Sequence, residues 1–200
     1  LATPDGQHLF AVNAGSGTVS SFRVNGDYSL APQDTESTLG VGPNSIAYAN
    51  GVIYVSNIDA DGVFAGEPDQ EGSLIGYRVN RRGGLQPIAD SRRVLETRPS
   101  AIQFSPDGRF LIVASINAGS SALASGSTDE LVVYAVDEDG NLSAAPVAAA
   151  TSTLPGNAEG RNLPSAPGSE TVQRGRGPYL LVPDAPAFPP AGSPPTPPAL

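Results

Sequence analysis

Two arginines stand at matching places in the chain, and a guanidinium is a group that binds anions. Arg98 comes directly before Pro99-Ser100-Ala101, and Arg161 comes shortly before Pro164-Ser165-Ala166. The planar fork of a guanidinium matches the oxygens of a carboxylate or phosphate, and it serves equally well in a salt bridge to a nearby Asp or Glu. Carboxylates gather elsewhere: Asp59, Asp61, Glu67, Asp69 and Glu71 fall within one short stretch. Such groups act as general acid or base, hold a hard cation through oxygen ligands, or simply carry solvated loop charge. The cation pattern is incomplete, because Asp59-Ala60-Asp61-Gly62 lacks the rest of a calcium loop with its closing Glu. Asp137-Glu138-Asp139-Gly140 fails the same test and reads as a hairpin turn.

Other chemistries are disfavoured by what the chain lacks. His8, the single histidine, falls in a hairpin remote from the arginines, where an exposed turn residue is expected rather than a general acid or base. Without it no Ser-His-Asp triad can be assembled within these 200 residues. There is no cysteine, hence neither thiolate chemistry nor a disulfide framework. Gly15-Ser16-Gly17 lacks the further glycine and helix of a phosphate-binding loop, so no nucleotide cofactor is expected, and no His/Cys cluster suggests a metal. A net charge of −9, with eleven arginines and no lysine, disfavours nucleic acid as a partner. Apolar runs such as Leu111 to Ala114 are strand-sized and too short to cross a bilayer, so a soluble segment is expected, either secreted or cytoplasmic.

A repeat carries the arginines. Phe22-Arg23-Val24-Asn25 leads through a polar turn to Leu30-Ala31-Pro32, Tyr77-Arg78-Val79-Asn80 leads to Leu85-Gln86-Pro87, and Tyr134-Ala135-Val136-Asp137 leads to Leu142 and Pro146. The intervals from Phe22 to Tyr77 and from Tyr77 to Tyr134 are 55 and 57 residues. Between them run Leu9 to Asn13, Ile53 to Asn57 and Phe110 to Val113, preceded by Pro4-Asp5-Gly6, Asn50-Gly51 and Pro106-Asp107-Gly108. Short alternating strands at this period, with tight-turn dipeptides and no helical pattern, predict four-stranded antiparallel blades of a β-propeller. Ser45 to Tyr48 and Ala101 to Phe104 are expected first strands, Leu74 to Tyr77 and Leu131 to Tyr134 third strands, and the stretches after Leu85 and Leu142 fourth strands.

In an up-and-down blade the first-to-second and third-to-fourth hairpins share one face, and the second-to-third loops and blade connections share the other. The tight turns fall on the first face. The second collects the connections Gly42-Pro43-Asn44, Thr97-Arg98-Pro99 and Asn162-Leu163-Pro164, with long insertions at Ile58 to Gly72 and Ile116 to Glu130. Long loops on a rigid scaffold carry binding or catalytic residues, or are plain surface loops. Pro183 to Leu200 reads either as a proline-rich linker or as a further insertion of the fourth unit.

With these strands in place, the chain resembles the lactonase-type seven-bladed propellers, which include bacterial 6-phosphogluconolactonase and fungal 3-carboxymuconate lactonizing enzyme. The resemblance rests on Ser105-Pro106-Asp107-Gly108-Arg109-Phe110-Leu111-Ile112-Val113, on Leu9-Phe10-Ala11-Val12-Asn13 with Gly17 to Phe22, and on Gly42-Pro43 entering a first strand, over about residues 1 to 182. It implies metal-independent acid and base chemistry on a small anionic lactone or organic acid, of sugar or muconate type. Arg98, Arg161, Asn44 and Asn57 then bind substrate, and Glu67, Asp59 and Asp61 are candidate acids or bases. Family members often place Gly-Pro-Arg-His in their connections, whereas the connections here hold no histidine.

The expected organisation is a single partial propeller over 1–200, all-β, with about four of seven blades: 1–42 lacking a first strand, 43–97, 98–157, and 158–200 as the start of a fourth. The chain is expected to be a piece of a longer protein, and the isolated piece is expected to self-associate through its open blade edges or to be unstable. The competing functional readings are a non-catalytic extracellular binding propeller and an inactive truncated product.

Overall fold

The computed structural model describes residues 1–60, 71–116, 130–151, 170–174 and 177–181. Every regular element among them is a strand. The first sheet is β1 (His8–Asn13), β2 (Thr18–Val24) and β3 (Leu30–Ser37), paired antiparallel in chain order. The second runs β4 (Val41–Ala49), β5 (Val52–Asp59), β6 (Gly72–Val79) and β7 (Leu85–Pro87), with β8 (Arg93–Leu95) also on β6. The third holds β9 (Arg98–Phe104), β10 (Phe110–Ile116), β11 (Glu130–Ala135) and β12 (Ala148–Thr151), and β13 (Glu170–Arg174) pairs with β14 (Gly177–Leu181) as a hairpin. These are blades of a partial β-propeller, and the chain is all-β. Among the described residues no helix is long and apolar enough to cross a membrane.

The blades stack because alternate residues of each strand face opposite neighbours. Between the first and second sheets lie Phe10, Val19, Ile53, Val55, Ile75, Tyr77 and Leu85, all buried. Between the second and third lie Tyr54, Leu74, Ile88, Ile102, Phe104, Leu111, Val113 and Tyr134. The aromatic residues of the repeat are pegs across these seams. The Tyr54 hydroxyl donates to the Gly140 carbonyl at 2.9 Å, and that of Tyr77 donates to the Ser37 carbonyl. Burial pushes the Tyr54 phenol up to about 12 and raises those of Tyr77 and Tyr134 as well.

The structure departs from the expected strands in three places. The connections Gly42-Pro43-Asn44 and Arg98-Pro99 are not loops but the opening residues of β4 and β9. The fourth strand after Leu85 is divided: β7 pairs with Tyr77–Val79 and β8 with Gly72–Leu74. Between them Ile88 turns inward to 3 % exposure, and the Ser91 hydroxyl takes a place in the ladder by accepting from the Gly76 amide at 3.1 Å. His8 is not an exposed turn residue. It lies on the tight-turn face as expected, but is only 9 % exposed and is wedged against the 80–84 hairpin of the next blade.

Candidate functional site

Proline shapes the loop-face end of both complete first strands. A proline has no amide hydrogen to give the ladder, so a strand that contains one skips a residue there. In β4 the pairing passes from Pro43 opposite Asn57 to Ser45 opposite Ser56, which leaves Asn44 as the extra residue of a bulge. In β9 it passes from Pro99 opposite Ser115 to Ala101 opposite Ala114, which leaves Ser100 as the extra residue. Bulges re-aim side chains and are common beside binding sites.

The two bulges are clipped to one another. Asn44 Nδ2 donates to the Pro99 carbonyl at 2.8 Å, while Asn44 Oδ1 accepts from the Ser56 hydroxyl at 2.7 Å. Just beyond it, the Ile102 amide donates to Ser45 Oγ at 3.2 Å. Ser100 Oγ turns back to the Ala114 carbonyl at 3.1 Å. Arg98, half-buried and itself engaged, is therefore fixed by its neighbour Pro99 to the connection of the preceding blade. This brings Asn44 and Arg98 to one end of adjacent inner strands.

The other expected site residues lie elsewhere. Asn57 is wholly buried in the seam between the first two sheets, where Nδ2 donates to the Thr38 carbonyl at 3.0 Å and to Ser73 Oγ at 3.1 Å. Asp59 ends β5 opposite Val41, is 7 % exposed, and is engaged by a partner. Asp61, Glu67 and Arg161 lie outside the described residues, as do Asp69 and the connection from Asn162 to Pro164. Among the described residues no three of His, Asp and Glu come together as a metal site requires.

Sequence reasoning missed the strained link at the end of the first blade. Leu39 has φ +51°, a left-handed conformation rare for a branched side chain, and it is 57 % exposed. Its neighbours enforce this. The Thr38 amide and hydroxyl both donate to the Gly17 carbonyl at 2.9 Å, the Thr38 carbonyl accepts from Asn57, and Gly40 packs directly on the Asn57 side chain. The available signal was Gly40 and Gly42 flanking a solvent-facing Val41; the cross-blade partner was not readable from it.

A concavity of about 850 Å³ runs along the inner strands past Ser45, Tyr48, Gln103 and Ser105 to Asp5 at the tight-turn end. None of Arg98, Asn44, Asn57 or Asp59 lines it. Asn44 and Arg98 stand at the opposite end of the same strands.

Residues 2–159 match the family described as "Lactonase, 7-bladed beta-propeller". No curated protein matches the chain. Among solved structures, the periplasmic gluconolactonase of Pseudomonas aeruginosa aligns with TM-score 0.55 at 22 % identity, over 74 % of this chain and 38 % of its own. A putative 6-phosphogluconolactonase from Bacteroides fragilis aligns with TM-score 0.54 at 18 % identity, over 73 % and 43 %. Another from Bacteroides uniformis gives 0.51 at 19 %, over 74 % and 39 %. The chain thus spans about two fifths of the structures it resembles.

Proposed function

We propose, from the premise that this chain belongs to the lactonase family of seven-bladed β-propellers, that it forms one sector of a channel in which a small anionic lactone is hydrolysed or reversibly closed without a metal. The observation that supports this reading most is the Asn44–Pro99 clip, which holds Arg98 on a rigid strand at the channel mouth. Arg98 would pair with the substrate carboxylate or phosphate, joined by Arg161, and Asn44 would hydrogen-bond a ring oxygen. Asn57, being buried, would act by holding the connection at Thr38 rather than by touching substrate.

In hydrolysis a base removes a proton from water as its oxygen adds to the lactone carbonyl. The ring C–O bond then breaks, and an acid returns a proton to the departing alkoxide, giving the open hydroxy acid. Asp59, Asp61 and Glu67 are the carboxylates proposed for these roles.

The test is turnover of phosphorylated and carboxylated lactones by the full-length protein, with and without chelator. Turnover that survives the chelator and loses substrate affinity in Arg98→Ala supports the reading; turnover that needs added metal, or is unchanged in Arg98→Ala, contradicts it. A second reading, ligand binding without catalysis on the same face, is favoured by the position of the only histidine at the other end of the blades. Saturable binding of the anion with no ring opening would establish it.

A further inference from the structure

Asn25, Asn50 and Asn80 all stand in hairpin turns, yet the structure restrains them differently. Asn25-Gly26 and Asn50-Gly51 place a glycine next in the chain, whereas Asn80 is followed by Arg81. An asparagine before glycine can close on its own backbone, because no side chain shields the following amide nitrogen from the asparagine's carboxamide carbon. By sequence the two Asn-Gly pairs are equivalent.

Asn80 is held by its own turn, since Oδ1 accepts from the Arg82 amide at 2.8 Å and the Gly84 amide at 3.1 Å. Asp137 makes the same cap in the third blade, accepting from the Asp139 and Asn141 amides. Such a cap pins the carboxyl or carboxamide group over the turn. Asn25 lacks it. In the first blade Asp27 does the capping, accepting from the Ser29 amide at 3.1 Å and the Ser29 hydroxyl at 2.6 Å. The Asn25 side chain bonds through Nδ2 to Ser29 Oγ at 2.9 Å, which leaves its Oδ1 and Cγ unpinned. Among the described residues the Gly26 amide has no acceptor, and neither have the matching amides of Arg81 and Glu138, so this opening is a property of the turn in every blade.

Asn50 is restrained by the next blade. Its φ is +49°, and its Nδ2 lies so close to Gly108 that a Cβ there would stand 2.4 Å away. Swinging its Cγ onto the Gly51 amide pulls the side chain out of that contact.

We infer that Asn25-Gly26 is a site of spontaneous covalent modification, at which the folded chain converts asparagine to aspartate and isoaspartate. Base removes the Gly26 amide proton, and the nitrogen adds to Asn25 Cγ. The Cγ–Nδ2 bond breaks, ammonia leaves with a proton from solvent, and water opens the resulting succinimide at either carbonyl. Aspartate at position 25 gives the first hairpin the capping group that Asp137 supplies in the third. Isoaspartate instead adds a methylene to the main chain, so the closure of residue 25 on the Ser29 carbonyl, now 2.9 Å, and the neighbouring Val24–Leu30 rung lose their register.

Full-length protein held at mildly alkaline pH, with and without urea, tests this. Each asparagine is followed by peptide mass spectrometry, and isoaspartate is counted with an isoaspartyl methyltransferase and a labelled methyl donor. In the native protein Asn25 is expected to convert about tenfold faster than Asn50 or Asn80, the factor implied by the contacts those two must break, whereas in urea Asn25 and Asn50 should converge. A native Asn50 that reacts as fast as Asn25 overturns the inference, and so does an Asn25 that stays intact in the native protein while the urea-treated protein converts. Gly26→Ala is the independent check. A Cβ at Gly26 meets nothing within 4 Å, and the sister turns carry Arg81 and Glu138 at this place, so the turn accepts the methyl group. Isoaspartate at position 25 should fall about tenfold in this variant, because the methyl group hinders the attacking amide. Undiminished isoaspartate there overturns the inference.

Discussion

At the tight-turn end of the blades four aspartates are engaged by their own hairpins, whereas at the loop end asparagine side chains reach into the next blade. Asp5 accepts from the Thr3 hydroxyl at 2.6 Å and the Gln7 amide at 3.0 Å, and Asp107 accepts from the Ser105 hydroxyl at 2.6 Å and the Arg109 amide at 3.1 Å. Asp27 and Asp137 do the same with Ser29 and Asn141. These bonds hold all four carboxyls below the ordinary aspartate value, chiefly through the side-chain donor. At the other end Asn44 and Asn57 bond to carbonyls of the neighbouring connection, and Leu39 is held in a conformation that it would not choose. Turns that satisfy themselves make a scaffold; bonds that cross between blades set the positions of connections, and connections are where this fold has room for function.

The comparison breaks most visibly at Arg98. Arg98→Ala in the full-length protein is expected to lower kcat/KM for an anionic lactone roughly 10- to 100-fold, the value of about 1.5–3 kcal/mol for a hydrogen bond to a charged group. Arg98→Lys should recover only part, because an ammonium cannot offer the same fork. Steady-state kinetics on both variants checks this, and equal losses at Arg109 on the tight-turn end would erase the distinction between the ends.

Asn57→Ala leaves the buried Thr38 carbonyl and Ser73 hydroxyl without that donor. It should cost about 2–3 kcal/mol in urea unfolding, against less than 1 kcal/mol for the exposed Asn25→Ala. Leu39→Gly works the other way. By relieving a left-handed leucine it should stabilise by about 1 kcal/mol, read as a higher urea midpoint at unchanged slope, whereas glycine at an ordinary exposed strand position destabilises.

The smallest effect is the pH dependence of the tight-turn carboxylates. A depressed folded pKa gives stability that is fully present above the ordinary value of 3.8 and is lost as pH falls through the lower folded value. All four groups are fully solvent-exposed, so the loss is expected to be shallow, to be confined to strongly acidic solution, and to flatten further in Asp107→Asn. Unfolding curves collected from neutral pH downward provide the check.

Local chemistry made much of the fold legible. Asp107-Gly108 and Asn80 through Gly84 dictate their turns without help from elsewhere, and the alternation in Ile53 to Asn57 or Leu74 to Tyr77 places those strands directly. What remained hidden depends on neighbours in space. Asn57 reads as a strand-end polar group, and only the stacking of the first blade buries it. Pro43 and Pro99 read as connection residues, yet opposite Asn57 and Ser115 they enter the ladder and leave Asn44 and Ser100 in bulges. His8 reads as exposed because the sequence gives no hint that Gly83 closes over it. At the candidate site, the position of Arg98 was legible from the repeat, while the Asn44 clip that fixes it was not.

The most direct test sets the two ends against each other in one protein. The kcat/KM ratio of a phosphorylated to an unphosphorylated sugar lactone is measured for the full-length wild type, Arg98→Ala and Asp107→Asn. The ratio should collapse toward one in Arg98→Ala and stay at the wild-type value in Asp107→Asn. A ratio that is preserved in Arg98→Ala, or lost in Asp107→Asn, would contradict an anion site at the loop end of the blades.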